Sequence, residues 1–248
     1  MRMPRKQCDS DIYHVISRGV GRHVIFEDDK DRQQYLDSLR VFCTKECVTI
    51  YAWCLMDNHA HLLLLAPMEA ISATMRKLNA TYAQYFNLKY DRVGHLFQDR
   101  FKSEPVESDE YFLTALRYIH QNPQKAGIAN TASYPWSSYH EYIHAPLLCD
   151  TQFALDLFGS KEAFVAFHNV SADPFACMSA ETNRGVRNVE KLRETALAVI
   201  GETNLEVIAT LPKNERNTLL KKLKDSGLSV RQIERLTGIG RGIIQKVN

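Results

Sequence analysis

Two histidines one residue apart, His59 and His61, stand at the entrance to Leu62-Leu63-Leu64-Leu65. In an extended strand successive side chains point to opposite faces, so both imidazoles project from one side and Ala60 from the other. Imidazole is the commonest protein metal ligand, and two of them held by one strand form a bidentate platform for a divalent cation. The alternative is a pair that only hydrogen-bonds along a water-facing groove. Against it, the four leucines mark an interior strand, where polar groups without partners are costly, and Asp57-Asn58 supplies a polar turn just ahead.

The elements that must hold such a platform can be read outward from it. Ile12 to Arg18 has the β-branched and aromatic content of a strand and is stopped by Gly19 and Gly21. Tyr35, Leu36, Leu39, Phe42 and Cys43 recur at helical spacing from about Asp28 to Thr44, behind an acidic start that suits the positive end of a helix. Val48 to Leu55 reads as a strand that pairs with His59–Leu65 across a short turn. Beyond Pro67 a long helix runs to about Lys89, an extended segment follows Gly94, and Ser108 caps a helix from Asp109 to about Gln121. On that last helix Phe112, Leu113, Leu116 and Ile119 share an apolar stripe, while Tyr111, Thr114, Tyr118 and Asn122 form a second, more polar face. The order predicts an α+β fold: a ferredoxin-like βαββαβ antiparallel sheet with helices on one face, the other left free for a ligand. Tyr134-Pro135-Trp136-Ser137-Ser138-Tyr139 reads as a turn closing this domain.

Composition is that of a soluble globular protein, with 45% apolar and 24% charged residues. No apolar run approaches the roughly 20 residues needed to span a bilayer, and the first ten residues lack the apolar segment of a signal peptide. These features predict a cytoplasmic protein, and the DNA-binding reading below makes it nucleoid-associated. The six cysteines form no C-x-x-C pair and read as reduced thiols.

Net charge is only +2, but Pro212 to Asn248 holds nine Lys or Arg against three Asp or Glu, a balance of +6 that leaves the remainder at −4. Within this basic segment Ser229-Val230-Arg231-Gln232 resembles a capping box, and two short helices flank Gly238-Ile239-Gly240. Helices on either side of a glycine-containing turn predict a helix-turn-helix, with Arg231, Arg235 and Arg241 as its DNA contacts; an ordinary helical hairpin is the alternative. The domain boundaries expected are residues 1–145, a helical connection over 146–211, and the basic segment 212–248.

Taken together, Tyr13-His14-Val15-Ile16-Ser17-Arg18-Gly19, Met56-Asp57-Asn58-His59-Ala60-His61, Gly94-His95-Leu96-Phe97-Gln98-Asp99-Arg100-Phe101-Lys102 and Arg117-Tyr118-Ile119-His120-Gln121-Asn122-Pro123 carry a resemblance. With the later Tyr134 to Tyr139 run, the first 145 residues or so resemble the REP-associated tyrosine transposases, a branch of the HUH endonucleases with a single-tyrosine catalytic domain. The resemblance implies that His59 and His61 bind a divalent cation, Mg²⁺ or Mn²⁺. It also implies that Tyr118 is the nucleophile and that a polar side chain one turn later, Asn122, completes the metal site, with His120 and Gln121 as alternatives.

A tyrosine hydroxyl, with a reference pKa near ~10, is a poor nucleophile at neutral pH, and a phosphodiester must have its charge neutralised before attack. A cation on the histidine pair meets the second need as Lewis acid and template. The expected function is therefore a metal-dependent single-stranded DNA endonuclease and transesterase. The resemblance implies that it cleaves and joins hairpin-flanked repetitive palindromic DNA through a 5′-phosphotyrosine, and Arg18, Arg22, Arg100 and Lys102 are the candidates for phosphate contacts. The partner implied is single-stranded or hairpin DNA, with no membrane, and a homodimer is left open. A catalytically silent DNA-binding regulator is the alternative function. A histidine-triad hydrolase is disfavoured, because Leu63 occupies the place of a third alternating histidine.

Overall fold

The β-branched run Ile12–Arg18 forms the first strand, β1, in the computed structural model of the chain. The structure describes residues 7–169 and, towards the carboxyl end, 196–201, 205, 208, 211–226, 228, 230–237, 239–245 and 247. Two compact units divide the chain, Met1–Ala180 and Glu181–Asn248.

In the first unit β1 is followed by α1 (Asp29–Lys45), β2 (Thr49–Met56), β3 (His59–Leu65), α2 (Met68–Lys89), β4 (Lys102–Pro105) and α3 (Asp109–His120). Each boundary has a local cause. Asp28 caps α1 by accepting from the Asp31 amide, and Asp31 reaches back to the Asp28 amide. Asp57-Asn58 is the two-residue turn joining β2 and β3, Pro67 precedes α2, and Ser108 accepts from the Tyr111 amide at the start of α3. The sheet runs in the order β2-β3-β1-β4, with every neighbouring pair antiparallel.

Tyr13, Val15, Ala60, Leu62 and Leu64 share one face and pack with Leu39, Ile71, Met75, Leu78 and Tyr82 of α1 and α2. The expectation that the opposite face stays free needs correcting, because α3 crosses it over β2 and β3. Tyr51, Ala52, Cys54, Met56 and Leu63 on that face form a second core with Phe112, Leu116 and Ile119. A register shift between Ile50 and Ala52 lets neighbouring Tyr51 and Ala52 join the same core. Four leucines in succession are apolar on both faces of a strand, so both faces need cover. Burying each large side chain of α3 stabilises this by about 1.5–3 kcal/mol.

Instead of only closing the unit, Trp136–Ser138 extends the sheet along the outer edge of β2. The Leu55 amide donates to the Trp136 carbonyl and the Ser138 amide to the Trp53 carbonyl, each at 2.9 Å. Short helices α4 (Asn122–Lys125), α5 (Tyr139–Ile143), α6 (Gln152–Phe158) and α7 (Lys161–His168) complete the unit. Phe164 of α7 stacks on Tyr142 at 4.8 Å, so packing of the first unit continues through α7.

In the second unit α8 (Lys213–Asp225), α9 (Val230–Thr237) and α10 (Arg241–Gln245) bury Leu220, Leu223, Ile233, Leu236 and Ile244 together. The expected capping residue Ser229 and the turn residue Gly238 lie outside the described residues, as does the Gln232 side chain. Among the described residues Cys8, Cys43, Cys47, Cys54 and Cys149 are free thiols, and no helix is long and apolar enough to cross a membrane.

Candidate active site

Strand pairing brings the histidines together. In the β1–β3 ladder His59 lies opposite Arg18, His61 opposite Ile16 and Leu63 opposite His14, so His14 is the diagonal neighbour of His61 on the same face. Both are fully buried, with His14 Nε2 2.8 Å from His61 Nδ1 and the rings stacked at 5.1 Å. The His59 and His61 rings are 4.9 Å apart, and His59 Nδ1 bonds to Asn58 Oδ1 at 2.5 Å.

Helix α3 closes the group from above. Because Phe112, Leu116 and Ile119 face its buried core, Tyr118 turns to the half-buried flank, its ring 5.7 Å from His61 and 5.8 Å from His14. Lys125 Nζ lies 4.3 Å from the Tyr118 ring centroid, and the Asn122 amide donates to the Tyr118 carbonyl at 2.9 Å.

Burial makes the imidazoles weak bases. It pushes His14 down to about 3, lowers His59 to about 4 with help from the Arg18 charge, and holds His61 well below its usual value. At neutral pH each ring therefore carries one N–H and one lone pair. An amide oxygen only accepts, so the bond to Asn58 assigns the His59 proton to Nδ1 and leaves Nε2 bare. His61 Nε2 is buried without a hydrogen-bond partner, which costs about 1–3 kcal/mol in the absence of a ligand. Two neutral imidazoles, one with an unpartnered buried nitrogen, fit a divalent cation. Among the described residues no cluster of three or more His, Cys, Asp or Glu is placed to hold a metal ion.

The three alternatives for that donor separate in space. His120 bonds to His168 Nε2 at 3.0 Å and to Ser138 Oγ at 2.8 Å, and Gln121 donates to the His168 carbonyl at 2.7 Å. Both thus turn to α7, away from the histidine pair. Asn122 begins α4 after a break at Gln121, with Pro123 in its first turn, and folds its amide back to Tyr118. It alone of the three keeps company with Tyr118.

Of the expected phosphate contacts, Arg18 ends β1 opposite His59, and Lys102 of β4 lies opposite Ile16. Arg18 is thus the diagonal neighbour of Lys102, and burial, then the Arg18 charge, lowers the Lys102 pKa. Arg22 sits in a short turn whose carbonyl accepts from Asn58, 3.3 Å away. Exposed Arg100 lines two cavities of about 440 and 390 Å³ together with Asn79, Phe97 and Asp99. The segment that carries Arg100 is tied to β1 where the Gln98 amide donates to the Arg18 carbonyl. Next to this join a Cβ on Gly19 would lie 2.1 Å from the His23 carbonyl oxygen, so the close approach needs glycine. Arg231 and Arg235 fall on α9 and Arg241 on α10; their side chains lie outside the described residues.

Sequence reasoning missed His14 and Lys125 as members of the site. His14 is on the face of β1 shared with Arg18, a signal visible only once β1 is paired with β3. Lys125 follows Tyr118 by seven residues, two helical turns, but the break at Gln121 obscures that spacing.

Residues 8–122 match the family model described as IS200-like transposase. A solved structure of a REP-associated tyrosine transposase bound to a REP hairpin superposes with a TM-score of 0.52 at 16% identity, covering 73% of this chain and 98% of the other. A candidate transposase from Deinococcus radiodurans R1 superposes with a TM-score of 0.35 at 22% identity, covering 49% of this chain and 97% of the other. The first likeness speaks for the fold. No curated protein sequence matches the chain.

Proposed function

Since residues 8–122 match the model of the IS200-like transposase family, we propose that this chain is a metal-dependent single-stranded DNA endonuclease and transesterase acting through Tyr118. The observation that carries the reading is the Tyr118 ring set 5.7 Å from that of His61, whose buried Nε2 has no partner.

Tyr118 Oη attacks the scissile phosphorus and gives up its proton. The bond from phosphorus to the 3′ oxygen breaks, that oxygen leaves as a 3′-hydroxyl on taking a proton, and a 5′-phosphotyrosine remains. One phosphodiester replaces another, so rejoining needs no ATP. His59, His61 and a donor from the Asn122 turn would hold Mg²⁺ or Mn²⁺, which supplies charge neutralisation and orientation of the phosphate. Arg18, Lys102 and Lys125 add fixed positive charge on the same flank of the sheet, with Arg22 just past the end of β1, whereas Arg100 lines cavities on the α2 side.

The substrate proposed is hairpin-flanked DNA of the repetitive palindromic class, because a solved structure of similar fold is described as holding a REP hairpin. In this reading the sheet is the ferredoxin-like scaffold of a catalytic domain over residues 1–145. Residues 146–211 connect it to 212–248, where α9 and α10 dock on duplex DNA as a helix-turn-helix, and the protein resides on the nucleoid.

Incubation with labelled hairpin DNA and Mn²⁺ tests the proposal. A covalent protein–DNA adduct is expected, and the Tyr118→Phe variant should form none. An undiminished adduct in that variant removes Tyr118 from the role.

A further inference from the structure

We propose that His14 is a positioning residue that fixes the tautomer of His61 and so presents the bare Nε2 of His61 to the divalent cation. The inference deepens the function proposed above and rests on it.

His14 Nε2 and His61 Nδ1 are 2.8 Å apart between two fully buried rings inclined at 25°. Such a bond holds one proton, which leaves two arrangements. In the first, His61 donates from Nδ1, His14 accepts at Nε2 and keeps its own proton on Nδ1, and His61 Nε2 is a lone pair. In the second, His14 donates, His61 carries its proton on Nε2, and the site is met by an N–H that a cation cannot bind. In either arrangement His14 Nδ1 and His61 Nε2 are the two nitrogens without partners.

Only the first arrangement gives the unpartnered nitrogen of His61 a ligand's electronic character. The surroundings favour it as well. Lys125 lies 4.3 Å from the Tyr118 ring, and Arg18 ends β1 opposite His59. Positive charge near the site favours a lone pair there over an N–H dipole. Metal-bound histidines generally give their second N–H to a carboxylate or carbonyl, which sets tautomer and ring angle. His14 occupies that place here, held by the β1–β3 ladder, and no carboxylate is needed.

The test uses the full chain labelled with ¹⁵N in its histidines, with His14→Leu and His14→Gln alongside. Leucine removes the acceptor, whereas the glutamine amide oxygen can reach the place of His14 Nε2. In the metal-free unmutated protein the His61 ring shifts should report a protonated Nδ1 and a bare Nε2. In His14→Leu the proton should move towards Nε2, and Mn²⁺ affinity by calorimetry should fall about 10–100-fold, the usual effect of losing such a partner. His14→Gln should restore both. A His61 proton on Nε2 in the unmutated protein overturns the assignment without recourse to any variant. Mn²⁺ affinity kept within about twofold in a folded His14→Leu protein, against the loss expected of such a partner, overturns the role of His14 alone. If the unmutated protein shows no Mn²⁺ effect on the His59 or His61 rings, the metal site fails for the proposed function and for His14 together.

Discussion

Helix α3 separates two buried histidine pairs that look alike and differ in one respect. On the α7 side His120 and His168 are 3.0 Å apart, His120 Nε2 meets Ser138, and His168 Nδ1 meets the Phe164 carbonyl, so all four ring nitrogens have partners. On the sheet side His14 and His61 are 2.8 Å apart, yet His14 Nδ1 and His61 Nε2 have none. Burial depresses the basicity of both pairs. A buried polar network with every member satisfied stiffens a fold, whereas one left open retains capacity for a ligand. Histidine content and burial do not tell the two apart; the count of partners does.

Substitutions on either side of α3 test that distinction. The largest effect belongs to Tyr118, where removal of one hydroxyl should reduce the covalent adduct to background while the melting temperature holds. Next, His61→Gln should weaken Mn²⁺ by more than about 100-fold, exceeding the loss of a mere ligand partner. Calorimetric titration measures it, and unchanged affinity would break the comparison at its centre.

On the other side, His168→Leu removes the ring that bonds to His120 Nδ1 and to the Phe164 carbonyl, and leaves His120 Nδ1 without that buried partner. It should destabilise the protein by about 1–3 kcal/mol in urea unfolding, with Mn²⁺ affinity unchanged. Equal loss of metal binding there would mean that the two pairs are not separate.

Acid acts on both pairs. Folded values of about 3 for His14 and about 4 for His168, against the usual 6.5, mean that the folded state binds fewer protons than the unfolded chain in between. Stability should therefore be full above about 6.5 and fall as pH drops towards 4, with a slope of up to ~1.4 kcal/mol per pH unit for each group. Mn²⁺ should oppose the loss from the sheet-side pair, because it binds neutral imidazoles in the folded state. Urea midpoints at pH 7.5 and 5.0, with and without Mn²⁺, measure this. The smallest effect expected is that of Lys125→Ala, a loss of adduct rate of roughly 3–10-fold, corresponding to one weakly held charge contact of about 1 kcal/mol.

Much of the scaffold is legible in the residues alone. The alternation at His59–Leu65, the Asp57-Asn58 turn and the Ser108 cap all hold as expected, because each depends on residues a few positions apart. Cover on the second face is signalled by the four leucines, yet the order of elements pointed to a free face, since nothing local to α3 says which side of the sheet it crosses. The Tyr134 to Tyr139 run reads as a closing turn because its pairing partner, β2, lies about eighty residues earlier.

Local chemistry follows from residue order alone: two imidazoles on one strand face, a tyrosine off the apolar stripe of its helix, and a basic carboxyl-terminal segment. Which histidines meet is set by long-range packing. His14 and His61 are 47 residues apart and are joined by the register of β1 on β3, and His120 and His168, 48 apart, by the packing of α7 on α3. Strand register and helix packing are set by the summed burial of many side chains. For that reason neither the partner of His61 nor the side to which His120 turns is written in the residues around them.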